Sequence, residues 1–180
     1  MRVIAGAARG TRLAPVPAGT RPLSDRAREG LFSSLGERVP GARVLDLFAG
    51  TGAIGIEALS RGAEGATFVD KAPRAVATIR DNLDRAKLGD RATVVRAEWR
   101  AFLDRAPDPF DLVFLDPPYK QREQETGRVL ASLENGWLAD GFTVALTRPR
   151  RDYTGVISVN WQAARRLEYG DTLVVLYREV

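Results

Sequence analysis

Apolar residues along this chain fall into two kinds of block: short continuous runs, and longer stretches in which they recur every three or four positions. The first kind is the mark of strands buried on both faces, and the second gives helices with one apolar stripe. Val44, Leu45, Leu47 and Phe48 form one run, starting at about Arg43, and Ile54, Ile56, Ala58 and Leu59 give an apolar surface to a helix directly behind it. Ala66 to Val69 predicts a second strand ending in Asp70. A helix from Pro73 follows, with Val76, Ile79, Leu83 and Ala86 on one face and Gly89 at its end. Ala92 to Val95 reads as a third strand, then a polar segment from Arg96 to Trp99 and a short helix bearing Phe102 and Leu103. Asp111 to Asp116 is the fourth strand, the helix after Glu123 turns Val129, Leu130 and Leu133 inward, and Phe142 to Leu146 is the fifth. Two last strands, near Arg166 to Glu168 and Thr172 to Tyr177, follow one another without a helix and are expected to pair antiparallel, while Gly155 through Trp161 has no clear period. Strands and helices in this order predict an α/β fold with a doubly wound sheet.

The chain ahead of Arg43 has a different character. Residues 2 to 14 alternate weakly and are punctuated by Gly6, Gly10 and Pro15, which predicts a hairpin-like appendage rather than core, with Arg2, Arg9 and Arg12 projecting from it. Ser24 is placed to cap a helix whose Ala27, Leu31 and Leu35 recur at helical spacing, with Asp25 favoured in the first turn and Arg26 and Arg28 on other faces. The expected organisation is a basic arm over residues 1–22 and one domain over 23–180.

Composition narrows the possibilities. With 180 residues, 44% of them hydrophobic and 28% charged, the chain suits a single globular domain. It shows no membrane-length apolar run and no signal-peptide core, and it has no cysteine, so the cytoplasm is the expected compartment. There is no histidine, which argues against a zinc enzyme or a serine-type triad, and no metal is expected. Residues 1–43 hold eight arginines against three acids, a balance of +5, whereas the remainder, with 19 basic and 20 acidic residues, stands at −1. A basic segment on a near-neutral body is a footprint for nucleic-acid phosphates, although an arginine-rich surface also follows from composition alone.

The candidate chemistry starts at the turn after the first strand. Gly50, Gly52 and Gly55 have the G-x-G-x-x-G spacing that lets a chain turn sharply, approach a ligand and pack helix on strand. Asp46, in the strand just ahead, would repel a pyrophosphate but suits a cationic ligand end, such as the amino group and sulfonium of S-adenosylmethionine. Asp70 stands about 20 residues past the turn, the distance at which an acid reaches ribose hydroxyls. The candidate cofactor contacts are Asp46, Phe48, Ala49, Gly50, Thr51, Gly52, Asp70, Lys71 and Glu98. Glu98, at a strand end, is read either as an acceptor for the adenine amino group or as a solvated loop acid. A dehydrogenase is disfavoured by Asp46 and by the missing histidine.

Asp116-Pro117-Pro118-Tyr119 ends the fourth strand. Two prolines stiffen the backbone there, so the carboxylate and the Pro117 carbonyl can point together into the cofactor crevice. Such a pair of acceptors would hold the N–H groups of a base's exocyclic amine, while Tyr119 stacks on the extruded base. Asp116, Pro117, Pro118 and Tyr119 are therefore the candidate catalytic set, one that serves adenine and guanine amines alike. The readings in play are an RNA guanine-N2 methyltransferase, a DNA adenine-N6 methyltransferase, for whose target-reading domain the chain has little length, and a non-catalytic RNA- or cofactor-binding protein.

Several motifs together resemble the bacterial small-subunit ribosomal RNA guanine-N2 methyltransferases, abbreviated RsmD. They are Arg2-Val-Ile-Ala-Gly with Arg9-Gly10 and Leu13; Arg21-Pro22 with Asp25-Arg26 and Arg28-Glu29 before Leu31-Phe32; Leu45 to Gly52; Glu57 to Gly62; Asp116 to Tyr119; and Tyr169 to Thr172 with Tyr177. The resemblance runs nearly end to end. It implies a class I S-adenosylmethionine-dependent methyltransferase fold, with a Rossmann-like seven-stranded sheet, and modification of one guanine of 16S ribosomal RNA during subunit assembly. The partner implied is ribosomal RNA within a partly assembled small subunit, met by a monomer through Arg2, Arg9, Arg12, Arg21, Arg26 and Arg28. The chain departs from the family pattern at Leu23, at Ser33 and at Thr147 to Arg151. That last stretch either adds phosphate contacts or, the favoured reading, forms a solvated turn.

Overall fold

A computed structural model describes residues 1–15, 22–118, 123–153, 155 and 159–179. Its strands are β1 (Arg43–Leu47), β2 (Gly65–Asp70), β3 (Ala92–Arg96), β4 (Phe110–Leu115), β5 (Leu138–Pro149), β6 (Trp161–Tyr169) and β7 (Thr172–Glu179). The helices are α1 (Asp25–Leu35), α2 (Ala53–Ser60), α3 (Pro73–Ala86), α4 (Trp99–Leu103) and α5 (Glu123–Leu133). One seven-stranded sheet results, in the order β3-β2-β1-β4-β5-β7-β6, with β1 to β5 parallel and β7 antiparallel to both its neighbours. The chain runs outward from β1 to β3, then returns to the other side of β1 with β4. The ends of β1 and β4 therefore flank the point where the winding reverses, and ligands of open α/β sheets bind there.

Alternate residues of each central strand serve opposite cores. Val44, Phe68, Leu112, Phe114, Ala145 and Leu176 pack under α1, α2 and α3, while Leu45, Leu47, Val113, Leu115, Val144 and Val175 pack under α4 and α5. Burial on both faces is why these strands read as unbroken apolar runs. Ser24 caps α1 by accepting from Ala27 N at 3.1 Å, and Pro73 opens α3.

Several expectations need correction. Phe48 is not the end of β1: its backbone turns to a φ of 71°, leaving the strand at Leu47. Trp99 belongs to α4 and is buried, because its ring packs with Phe102 and Leu103 against the second core. Helix α3 ends at Ala86, with Lys87 in the left-handed conformation at its cap, and Gly89 opens a short 3-10 turn. Strand β6 begins five residues earlier than the pattern predicts. It is an edge strand whose Gln162 to Arg166 are exposed, so it carries little apolar signal.

Thr147, Arg148 and Pro149 are not a solvated turn. They extend β5, are buried, and pair with Thr172 to Val174 of β7; only Arg150 and Arg151 reach the surface. Leu23 departs from the family pattern in an intelligible way, since it is 6% exposed within the first core.

The N-terminal residues do not stand off the body. Val3, Ala8 and Leu13 are buried in the first core, and Arg2 forms an isolated antiparallel bridge with Arg12. Backbone amides fix this segment to α2: Ile4 N and Ala5 N donate to the Glu57 carboxylate at 2.8 and 3.1 Å, and Ala8 N donates to Ser60 Oγ at 2.9 Å. Among the described residues no helix is long and apolar enough to cross a membrane.

Candidate active site

The turn after β1 is built by backbone conformations that side chains resist. Gly50 and Gly52 have φ of 57° and 77°, and Gly52 is the residue from which α2 starts. Gly55 is needed for a different reason. A Cβ there would lie 2.4 Å from the Phe68 ring, so only glycine lets α2 lie this close to β2. Each part of the G-x-G-x-x-G pattern thus has a separate physical cause. Phe48, at positive φ without being glycine, adds local strain on the order of 1–3 kcal/mol at the same turn.

Two aspartates brace this turn. Asp46 is 1% exposed and its Oδ2 accepts from Gly55 N at 3.0 Å. Asp70 accepts from Gly50 N through Oδ2 and from Ala72 N through Oδ1, each at 2.9 Å. A carboxylate has about four acceptor positions, so the half-buried Asp70 can still receive two hydroxyl groups. That is the capacity a ribose diol requires.

Asp116 stands immediately beyond β4, next to the end of β1, and Pro117 behind it is buried while Pro118 is exposed. Burial pushes the Asp116 carboxyl up to about 7. Asp46 is pushed up to about 8, first by burial, against the opposing Gly55 hydrogen bond, and further by the charges of Asp116 and Asp70. The carboxyls of Asp46, Asp70 and Asp116 thus stand at the ends of β1, β2 and β4 beside the glycine turn, where Asp46 feels the charge of the other two. Among the described residues no group of His, Cys, Asp or Glu could hold a metal ion. What this acidic cluster fits is an organic cation, whose charge would relieve the repulsion. The residues present thus suit S-adenosylmethionine, with the Gly50–Gly52 turn, Asp46 and Asp70 as its holders.

Lys71 and Glu98 sit on the rim. They pair at 3.1 Å with both side chains more than half exposed, and Glu98 is the residue just ahead of α4, without a side-chain bond to that helix's free amides. Ala49 and Thr51 are buried within the turn. The site thus gathers Asp46, Phe48, Ala49, Gly50, Thr51, Gly52, Asp70 and Asp116, with Lys71 and Glu98 at its edge. Tyr119 and Arg21 lie outside the described residues.

Of the arginines expected at RNA, Arg2, Arg9, Arg12 and Arg26 are exposed. Arg2 and Arg12 face each other across the bridge, where like charges disfavour one another unless an anion sits between them. Arg28 must be withdrawn from the set. It is fully buried, donates to the Arg2 carbonyl and to Asp25 Oδ1, and lies 3.8 Å from the Glu57 carboxylate. Its place in the sequence explains this: it lies three residues before Leu31 and seven before Leu35, on the buried stripe of α1. Glu57 and Ser60, which stand in one of the motifs that carry the resemblance, and Asn82, which the sequence pattern did not single out, are buried polar residues that anchor the N-terminal segment, and the available signal was a polar residue standing in an otherwise buried helix face.

A family described as Conserved hypothetical protein 95 matches residues 1–178. The chain belongs to this family. It is 37% identical to "Ribosomal RNA small subunit methyltransferase D" of Escherichia coli, across 99% of this chain and 89% of that protein. It is 36% identical to "Putative rRNA methyltransferase YlbH" of Bacillus subtilis, across 99% of each. Among solved structures it is similar to the putative methyltransferase yhhF from Escherichia coli, with a TM-score of 0.87 at 36% identity over 99% of this chain and 97% of that one. A putative methyltransferase, SMU.776, complexed with SAH shares the fold at 18% identity, with a TM-score of 0.69 over 85% of this chain and 48% of that one. The fold is that of the class I S-adenosylmethionine-dependent methyltransferases, with its final strands antiparallel.

Proposed function

We propose that this protein transfers a methyl group from S-adenosylmethionine to the exocyclic N2 amine of a guanine in small-subunit ribosomal RNA. The observation that carries the reading is the convergence of Asp46, Asp70 and Asp116 on the glycine turn at the point where the sheet reverses its winding. The names of the near-full-length relatives support the ribosomal substrate.

Bound S-adenosylmethionine supplies an electrophilic methyl group. The protein's part is to hold the acceptor. An exocyclic amine is a weak nucleophile because its lone pair is delocalised into the base, and acceptors on its N–H groups localise that pair on nitrogen. The Asp116 carboxylate and the Pro117 carbonyl are those acceptors, with Tyr119 stacking on the extruded base. A carboxyl poised at about 7 accepts the N–H bond when ionised, and can carry the proton that the amine sheds. Holding the two reactants together supplies most of the rate. Outside the pocket, Arg2, Arg9, Arg12, Arg21 and Arg26 contact RNA phosphates, and the substrate is a partly assembled small subunit acted on by a monomer.

The test is labelled methyl transfer to small ribosomal subunits from a strain lacking the gene and, in parallel, to unmethylated DNA, followed by nucleoside analysis. Label in N2-methylguanosine is expected. Label in N6-methyladenine of DNA, with none in RNA, would overturn the assignment in favour of the adenine reading.

A further inference from the structure

One buried side chain hydrogen-bonds both the glycine turn and the N-terminal segment. Asn82 of α3 is 0% exposed and uses both ends of its amide: Nδ2 donates to the Thr51 carbonyl at 2.9 Å, and Oδ1 accepts from Ala14 N at 2.6 Å. Thr51 lies between Gly50 and Gly52, inside the turn that holds the cofactor. Ala14 ends the stretch that carries Arg2, Arg9 and Arg12.

A second route runs in parallel. The same N-terminal stretch is fixed to α2 by Glu57 and Ser60, and α2 begins at Gly52 of that same turn. Ser60 Oγ also donates to the Ala5 carbonyl at 2.6 Å, and Ala7 N donates to the Ser60 carbonyl at 2.8 Å.

An amide with both ends engaged in a closely packed interior cannot follow one partner without disturbing the other. A displacement of the Thr51 carbonyl is therefore transmitted to Ala14, and an RNA that fixes the N-terminal stretch also fixes the turn. From this bridge we propose that Asn82 is a positioning residue that couples cofactor binding to RNA binding. The inference rests on the proposed function, because it takes the N-terminal arginines to be RNA contacts. It concerns neither the acceptor motif nor the residues that touch the donor.

Coupling of this kind is reciprocal: RNA raises the affinity for the cofactor by the same factor by which the cofactor raises the affinity for RNA. A factor of about five or more is expected, the lower end of the usual range for linked sites. The experiment measures S-adenosylhomocysteine affinity with and without small ribosomal subunits from the deletion strain, and subunit affinity with and without S-adenosylhomocysteine. The variant is Asn82→Asp, which keeps the acceptor for Ala14 N but places an acceptor against the Thr51 carbonyl. Each ligand alone should then bind within about threefold of the parent, while the coupling factor falls by at least half, leaving only the share carried through α2. Asn82→Ala, which removes both hydrogen bonds, should do the same, and a thermal unfolding curve shows that each variant folds.

A parent protein that binds both ligands independently overturns the inference, whatever the variants do. So does coupling of the parent's full size in a folded variant. Failure of the parent to bind subunits at all instead refutes the proposed function, and the two failures are thereby told apart.

Discussion

The ionisation of Asp116 sets a sharp expectation for the pH dependence of methyl transfer. Its carboxyl is pushed up to about 7 by burial at the end of β4, and only the ionised form offers both oxygens to an amine. A group with that value is about one-tenth ionised at pH 6 and about nine-tenths ionised at pH 8, so kcat/KM for RNA should rise by up to about tenfold over that interval and then level off. The assay is initial-rate methyl transfer to small subunits at saturating S-adenosylmethionine. Saturation matters because Asp46 titrates nearby and the donor's charge favours the ionised form of both carboxyls, so the rise is read at one state of the pocket and centres at or a little below 7. Asp116→Asn keeps the size of the side chain but sets an amide N–H where an acceptor is needed. It should lower kcat by about 10²–10³-fold, leave S-adenosylhomocysteine affinity within a few-fold, and abolish the rise with pH. A flat parent profile from pH 6 to 8, or an unchanged rise in the variant, would show that the proton in question is not on Asp116.

Three further outcomes follow from the same geometry. Asp46 and Asp116 ionise near pH 3.8 when unfolded but at about 8 and about 7 when folded. Their charged forms therefore disfavour the folded state, and the contribution they make below pH 4 is lost as pH rises toward 8. S-adenosylmethionine should offset that loss, so Tm measured from pH 5 to 9 should fall more steeply for the free protein than for the complex; parallel curves would refute the electrostatic account. Asp70→Asn, which turns one acceptor oxygen into a donor, should weaken S-adenosylhomocysteine binding about tenfold or more by calorimetry, and unchanged affinity would remove Asp70 from the site. Arg9→Ala with Arg12→Ala should reduce the slope of log affinity for RNA against log salt by roughly 1.4–1.8, at about 0.7–0.9 for each phosphate no longer neutralised, and an unaltered slope would locate the RNA elsewhere.

The central sheet was legible because parallel strands buried on both faces leave unbroken apolar runs, and the glycine spacing marked the sharp turn between β1 and α2. Phe48 escaped because nothing in an apolar residue announces a positive φ. Strand β6 escaped because an edge strand with Gln162 to Arg166 in solvent carries almost no hydrophobic pattern. Thr147 and Arg148 read as surface because polar residues are usually exposed, whereas here Arg148 donates to Thr126 Oγ1 at 3.4 Å inside the fold. The docking of residues 1–15 rests on Glu57, Ser60 and Asn82 accepting from backbone amides. Those bonds join positions more than fifty residues apart, a separation that no local pattern reports.

Donor and acceptor are expected to meet between the Gly50–Gly52 turn and Asp116-Pro117-Pro118. A crystal structure of the protein with S-adenosylhomocysteine measures this directly. The ribose hydroxyls are expected on Asp70 and the sulfur facing Asp116. A ligand bound away from the ends of β1 and β4, with Asp70 untouched, would contradict this arrangement.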